Sequence, residues 1–319
     1  MRGWWSWWRS LWSHVEHPRT LAFLRVALAV VLLVDLLEVA ALDLVVPVLG
    51  DEAAGGWSDP AVRKVTPWFY DVFPPTPGSA WGLWAALVAS LCAVILGVAT
   101  PVSLLLVVLL YAQMALILPA ADRGIDMMLR NLFLILAFSG AGRWGSVDAR
   151  IRAGSIWGDG ADIPAWPRHL IVLQVVVMYF TAGVQKVGYT WTPMGHFGAL
   201  YILLQDAAVA RMPFGWLAGS PWFQLTQIGT AVTVLWEWSA PMVLLFFHYR
   251  MTPERGGRLR QWTLRYKLHL WWLAVGVVFH LGIAATLELG LFPWAMLATY
   301  IAFVHPDEWA ALWRKISRS

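Results

Sequence analysis

The sequence predicts an all-α fold: a polytopic membrane helix bundle of about eight transmembrane helices, with an interfacial amphipathic helix at each terminus. Three observations predict it. First, 59% of the 319 residues are apolar or aromatic and only 13% are charged, with a mean hydropathy of +0.61. A soluble domain carries about 25% charged residues, and half that share cannot cover a soluble surface of this size. Second, the apolar residues fall in long runs of membrane-crossing length. Third, Lys and Arg are concentrated in alternate connections between those runs. This composition excludes a soluble enzyme, a disordered chain and a repeat solenoid. The 23 tryptophans point to heavily anchored membrane interfaces. A single cysteine, Cys92, excludes an internal disulfide framework and a multi-cysteine site, and no metal is predicted. The net charge of +4 sits in short loops where it sets topology, so no nucleic-acid partner is predicted.

Residues 1–18 form the first element. Trp4, Trp8, Leu11, Trp12 and Val15 share one helical face, and Arg2, Ser6, Arg9, Ser13 and Glu16 share the other. That pattern predicts a helix lying in the interface with Trp in the headgroup layer. Residues 19–304 are the transmembrane domain. Its apolar runs cover roughly 20–43, 79–99, 101–120, 126–142, 166–187, 221–248, 267–287 and 289–304. Each is near the ~20 residues that cross a ~30 Å hydrocarbon layer, the fourth and eighth being short. Pro241 should kink the sixth. Residues 305–319 are an interfacial tail, with Trp309, Leu312, Trp313 and Ile316 opposite Arg314, Lys315 and Arg318.

With the N-terminus inside, the inner segments hold Arg2, Arg9 and Arg19, then Arg143, Arg150, Arg152 and Arg168. They continue with Arg250, Arg255, Arg258, Arg260, Arg265 and Lys267, and close with Arg314, Lys315 and Arg318. The outer segments hold only Arg63, Lys64, Arg123 and Arg211. The asymmetry places both termini in the cytoplasm. Two outer connections, 49–78 and 188–220, are long, as functional lids and binding loops often are.

Ionisable groups inside a membrane are costly, so each is a functional candidate. Asp35 and Glu38 lie in the outer half of the first helix, where they can relay protons or satisfy each other and Arg25. Asp126 and Arg130 begin the fourth, at a spacing that favours a mutual ion pair. Lys186 ends the fifth, and His280 lies in the outer half of the seventh. The bland readings are equally concrete. Lys186 can snorkel, Asp126 with Arg130 can be a structural pair, and His280 can be a hydrogen-bonded core histidine. His269 shares its face but lies about 16 Å away along the helix, too far to share a metal. Thr226, Thr230, Thr233 and Glu237 line one face of the sixth helix, and Gln174, Thr181 and Gln185 one face of the fifth. Such stripes face protein or water rather than lipid.

Three motifs carry a family resemblance. Tyr179-Phe180-Thr181-Ala182-Gly183-Val184-Gln185-Lys186 with Trp191 resembles the signature of the membrane domain of vitamin K-dependent gamma-carboxylase, also called the horizontally transferred transmembrane (HTTM) domain. His280 followed by Leu289-Gly290-Leu291-Phe292-Pro293-Trp294-Ala295-Met296-Leu297-Ala298 is a second match. Trp144-Gly145-Ser146-Val147-Asp148 is a third. The resemblance spans roughly residues 15–310.

The resemblance implies a membrane enzyme that uses a reduced quinone and oxygen, with carbon dioxide as a further co-substrate if carboxylation is retained. Lys186 matches the family's base. Burial disfavours the charged form of an amine, which lets it take a proton near neutrality. A lone amine with few carboxylate neighbours is expected. His280, Asp126 and Arg130 are the further catalytic candidates, and Tyr179, Gly183, Trp191 and Glu237 the expected quinone-binding residues. The family's fourth-helix histidine is replaced by Ile125, with Asp126 beside it. The implied partners are the lipid bilayer, a lipophilic quinone and a small secreted or membrane protein substrate. A non-catalytic immunity, sensor or assembly protein on the same bundle is the second reading, and a small-molecule carrier the third.

Overall fold

The computed structural model describes residues 12–59, 72–252 and 255–316. Most of the N-terminal amphipathic segment, and Arg63, Lys64, Trp68, Phe69 and Tyr70 of the first long connection, lie outside these ranges. All eight apolar runs are helical. They give α1 (Arg19–Ala41), α2 (Pro77–Leu96), α3 (Thr100–Ile117), α4 (Gly124–Ala137), α6 (Trp166–Gln185), the pair α8 (Trp222–Trp238) and α9 (Pro241–Met251), α11 (Leu268–Thr286) and α12 (Phe292–Thr299). Between them lie α5 (Val147–Ala153), α7 (Ala199–Gln205) and α10 (Arg258–Arg265), and α13 (Pro306–Ile316) follows.

Among the described residues, α1, α2, α3, α6 and α11 are each long and apolar enough to cross a membrane. The α8–α9 pair makes a sixth span if its 45° bend is one broken crossing. The bend falls where Pro241 begins α9, because proline supplies no N–H to the preceding turn. The runs expected to be short are short. α4 has 14 residues, or about 21 Å of rise, and α12 continues only as a 3-10 turn to Phe303. Length and composition thus support five or six crossings, fewer than the eight runs.

The chain divides into two compact units. The first holds Met1–His169 and Val304–Ser319. Its core is built on one face of α1, where Leu21, Leu24, Leu28, Leu32 and Leu36 recur at spacings of three and four and are all buried. α2 packs on α1 and α3, and α3 packs on α4. The Trp144–Asp148 motif clasps this unit. The Arg25 guanidinium, fully buried on α1, donates to Ala141 O at 3.1 Å and Gly145 O at 2.7 Å. Asp148 accepts from the Ala99 and Thr100 N–H groups at 2.8 and 2.7 Å, satisfying the open end of α3. Ser146 caps α5 through Ala149 N at 2.9 Å. Gly97 ends α2 in the left-handed region, and a Cβ there would collide with Ser146 and Arg25. Two short strands, β1 (Val15–Glu16) and β2 (Ile163–Pro164), pair antiparallel. Beside them Glu16 and Arg168 form a buried bidentate ion pair at 2.7 Å.

The second unit holds Leu170–Phe303. Here α7 packs on α8, α11 packs on α12, and α8 meets α11. The second long connection folds into α7 and several 3-10 turns. Its core joins Leu204, Phe214 and Leu217 to Leu287. At the other terminus, in the first unit, the expected tail helix is present as α13, with Trp309 packed edge-on against Phe23.

Candidate functional site

The end of α6 sets the site. Tyr179, Gly183 and Lys186 are spaced four and three apart, so they follow one helical face. Gly183 permits close approach of α8. A Cβ there would lie 2.6 Å from the Trp238 ring and 2.9 Å from the Glu237 side chain. With that gap closed, Glu237 in the last turn of α8 reaches the lysine. Lys186 Nζ donates to Glu237 Oε2 at 2.6 Å and Oε1 at 2.8 Å, and touches Ala182 O at 3.4 Å. The amine also sits 5.1 Å from the centroid of the Trp191 ring. The side chains are 19% and 5% exposed, so the amine is held inside the unit rather than snorkelling outward.

This corrects the expectation of a lone amine. Glu237 lies on the buried stripe with Thr226 and Thr230, and an isolated buried carboxylate is too costly to leave unpaired. Lys186 is the cation that satisfies it. The chemistry must be read from the pair.

Two turns earlier, the Tyr179 hydroxyl joins His280 Nε2 at 2.6 Å and the Tyr300 hydroxyl at 2.7 Å. His280 is fully buried and its Nδ1 has no hydrogen-bond partner, whichever ring nitrogen carries the proton. Aromatic rings wall this triad. The Tyr179 ring lies 4.6 Å from Trp236 and 5.6 Å from Trp272, and the two indoles stack at 4.8 Å. Trp236 is the neighbour of Glu237 in sequence, so α8 contributes to both groups. Nothing in the sequence marks Tyr300 or the two tryptophans. They sit in apolar runs where an aromatic reads as core, and only the fold brings them to Tyr179.

The remaining expected residues belong to the first unit, and their pairing differs from expectation. Asp126 does not bind Arg130. It accepts from Arg123 N at 2.8 Å, Arg123 Nε at 2.9 Å and the Tyr111 hydroxyl at 2.6 Å. A carboxylate in the first turn folds back onto the open N–H groups of its own helix end, and here that competes successfully with the i, i+4 partner. Arg130, whose side chain runs toward the helix N-terminus, passes it and grips Asp122 with two bonds of 2.7 and 2.8 Å. Asp35 pairs with Arg123 at 2.9 Å rather than with Glu38 or Arg25. Arg123, lying in the connection before α4, thus carries two carboxylates. Burial alone would lower its pKa, but the Asp126 and Asp35 bonds outweigh that and raise it. Among the described residues, no group of three His, Cys, Asp or Glu side chains is placed to hold a metal ion.

A family model described as the HTTM domain matches residues 14–309. The chain belongs to the HTTM family. The match covers nearly the whole sequence and takes in both units, so this is an integral membrane protein built as one HTTM domain. No curated protein and no solved structure matches the chain significantly. The three motifs now have distinct structural places. The α6 motif supplies the lysine and the glycine that admits its partner. The second motif starts at the orphaned histidine. The third holds the first unit together.

Proposed function

We propose that this HTTM protein is a membrane enzyme that oxidises a lipophilic hydroquinone with oxygen, using Lys186 and Glu237 as one acid–base unit. The observation that carries the reading is the buried Lys186–Glu237 pair at 2.6 Å, on the family motif and beneath Trp191. In a low-dielectric setting both partners lose hydration. A proton passing between Nζ and either carboxylate oxygen has only 2.6–2.8 Å to cross. The Nζ atom can take a proton, and Glu237 can hold it at Oε1 or Oε2.

The residues suit a hydroquinone. His280 Nδ1 is a buried polar atom without a partner, and Tyr179, Trp191, Trp236 and Trp272 offer aromatic walls. An aromatic diol is bound by apolar walls with a few polar handles, and these are the side-chain types gathered here. Bound there, a hydroquinone would supply the electrons that reduce oxygen. Lys186 and Glu237 would hold its proton, His280 and Tyr179 would orient a polar substituent, and the indoles would exclude water. Carboxylation of an acceptor with carbon dioxide is not part of the proposal. Asp126, beside the position of the family's missing histidine, is already engaged by Arg123 and Tyr111.

The test is oxygen uptake by the purified protein in lipid nanodiscs supplied with a reduced naphthoquinone, with the quinone product weighed by mass spectrometry. Protein-dependent uptake and a product one oxygen heavier than the quinone are expected, the second oxygen leaving as water. Uptake no faster than in empty nanodiscs would favour the second reading, a non-catalytic immunity, sensor or assembly protein. The full satisfaction of both Glu237 oxygens by one amine is what favours that reading, since a structural pin would look the same.

A further inference from the structure

α10 is the most basic surface element of the second unit. Residues 255–267 carry Arg255, Arg258, Arg260, Arg265 and Lys267 and no acidic residue. Where the α8–α9 pair and α11 both cross, the short connections of α10 hold it at the membrane surface. α9 of the bent pair precedes it, and α11, long and apolar enough to cross, begins after only two intervening residues. One face is taken. Arg260 donates to Thr252 O and to Thr252 Oγ1, lies 4.7 Å above the Tyr249 ring and is 8% exposed, and Thr263 is buried beside it.

The opposite half is outward, and it is ordered. Leu259 is 59% exposed, Trp262 52% and the adjoining Tyr266 49%. Their spacings of three and four make an apolar stripe. Arg258 and Arg265, seven apart, make a parallel basic stripe, and the Arg265 guanidinium lies 5.6 Å from the Tyr266 ring. A Trp–Tyr–Leu stripe with cations alongside matches the layering of a bilayer surface, with rings at headgroup depth and cations at phosphate depth. A helix of eight residues offers far less than the ~800 Å² per partner of a stable protein interface.

We propose that α10 binds anionic phospholipid, with Leu259, Trp262 and Tyr266 set among the headgroups and Arg258 and Arg265 on the lipid phosphates. The attraction of clustered cations for an anionic leaflet acts within a Debye length, which a surface-bound helix satisfies. The proposal is independent of the chemistry at Lys186.

Native mass spectrometry of the protein released from nanodiscs of mixed phosphatidylcholine and phosphatidylglycerol tests it. The wild type should retain phosphatidylglycerol in preference. The Arg258→Glu, Arg265→Glu double variant should lose that preference by about tenfold, and added inorganic phosphate should not compete. Equal retention by wild type and variant, or displacement by phosphate, would overturn the proposal. A spin label at Leu259→Cys, in a Cys92→Ser background, gives a second measure. In nanodiscs containing phosphatidylglycerol, the label should relax with lipid-soluble oxygen. A label seen only by an aqueous relaxant, as if α10 faced water or an acidic soluble partner, would also overturn it.

Discussion

At the scale of residues, the Lys186–Glu237 pair makes a much larger stability prediction than a lone lysine would. Removing a lone, partly exposed amine would cost little. Removing this one leaves a buried carboxylate without its cation, so Lys186→Ala should destabilise the protein by about 3–5 kcal/mol. Replacing both partners with apolar residues, as in Lys186→Met with Glu237→Leu, should recover most of that loss. Thermal unfolding in detergent measures it, and additive losses in the double variant would contradict a coupled pair. The sequence shows why only half of this was legible. The motif ending at Lys186 and the Thr226–Glu237 stripe each mark a polar face, but nothing in either run states that Gly183 closes the gap between them. The Asp126–Arg130 spacing was legible too, yet it named the wrong partners. Helix periodicity reports which side chains can meet, and a helix end with open N–H groups is a stronger competitor for a carboxylate.

At the scale of elements, apolar run length located every long helix within a few residues, because about 20 apolar residues have few other uses. The break at Pro241 was equally legible from proline chemistry. What run length could not settle was crossing number, since α4 and α12 are shorter than a hydrocarbon layer and α8–α9 is bent by 45°. Charge supplies the test. The Lys and Arg distribution predicts that reporters fused at residues 60 and 205 read outside and those at 155 and 258 read inside. An inside reading at 205 would invert the connection between α7 and α8, and with it the outer-side position that the charge distribution predicts for Lys186. The Trp144–Asp148 motif teaches the complementary point. A family motif need not mark chemistry, and here it caps α3 and α5 and holds the buried Arg25.

At the scale of the whole molecule, composition and family agree on a membrane protein of the HTTM family, and the functional question reduces to what its buried pair does. An acid–base unit and a structural pin predict different behaviour when the charge is kept and the proton is not released. Lys186→Arg does that, because guanidinium can still face Glu237 but stays protonated. The decisive measurement is hydroquinone-dependent oxygen uptake by Lys186→Arg beside wild type in the same nanodiscs, with thermal unfolding of both. A folded variant of near wild-type thermal stability is expected, with a rate lower by on the order of a hundredfold or more. A folded variant that oxidises hydroquinone at the wild-type rate would contradict it.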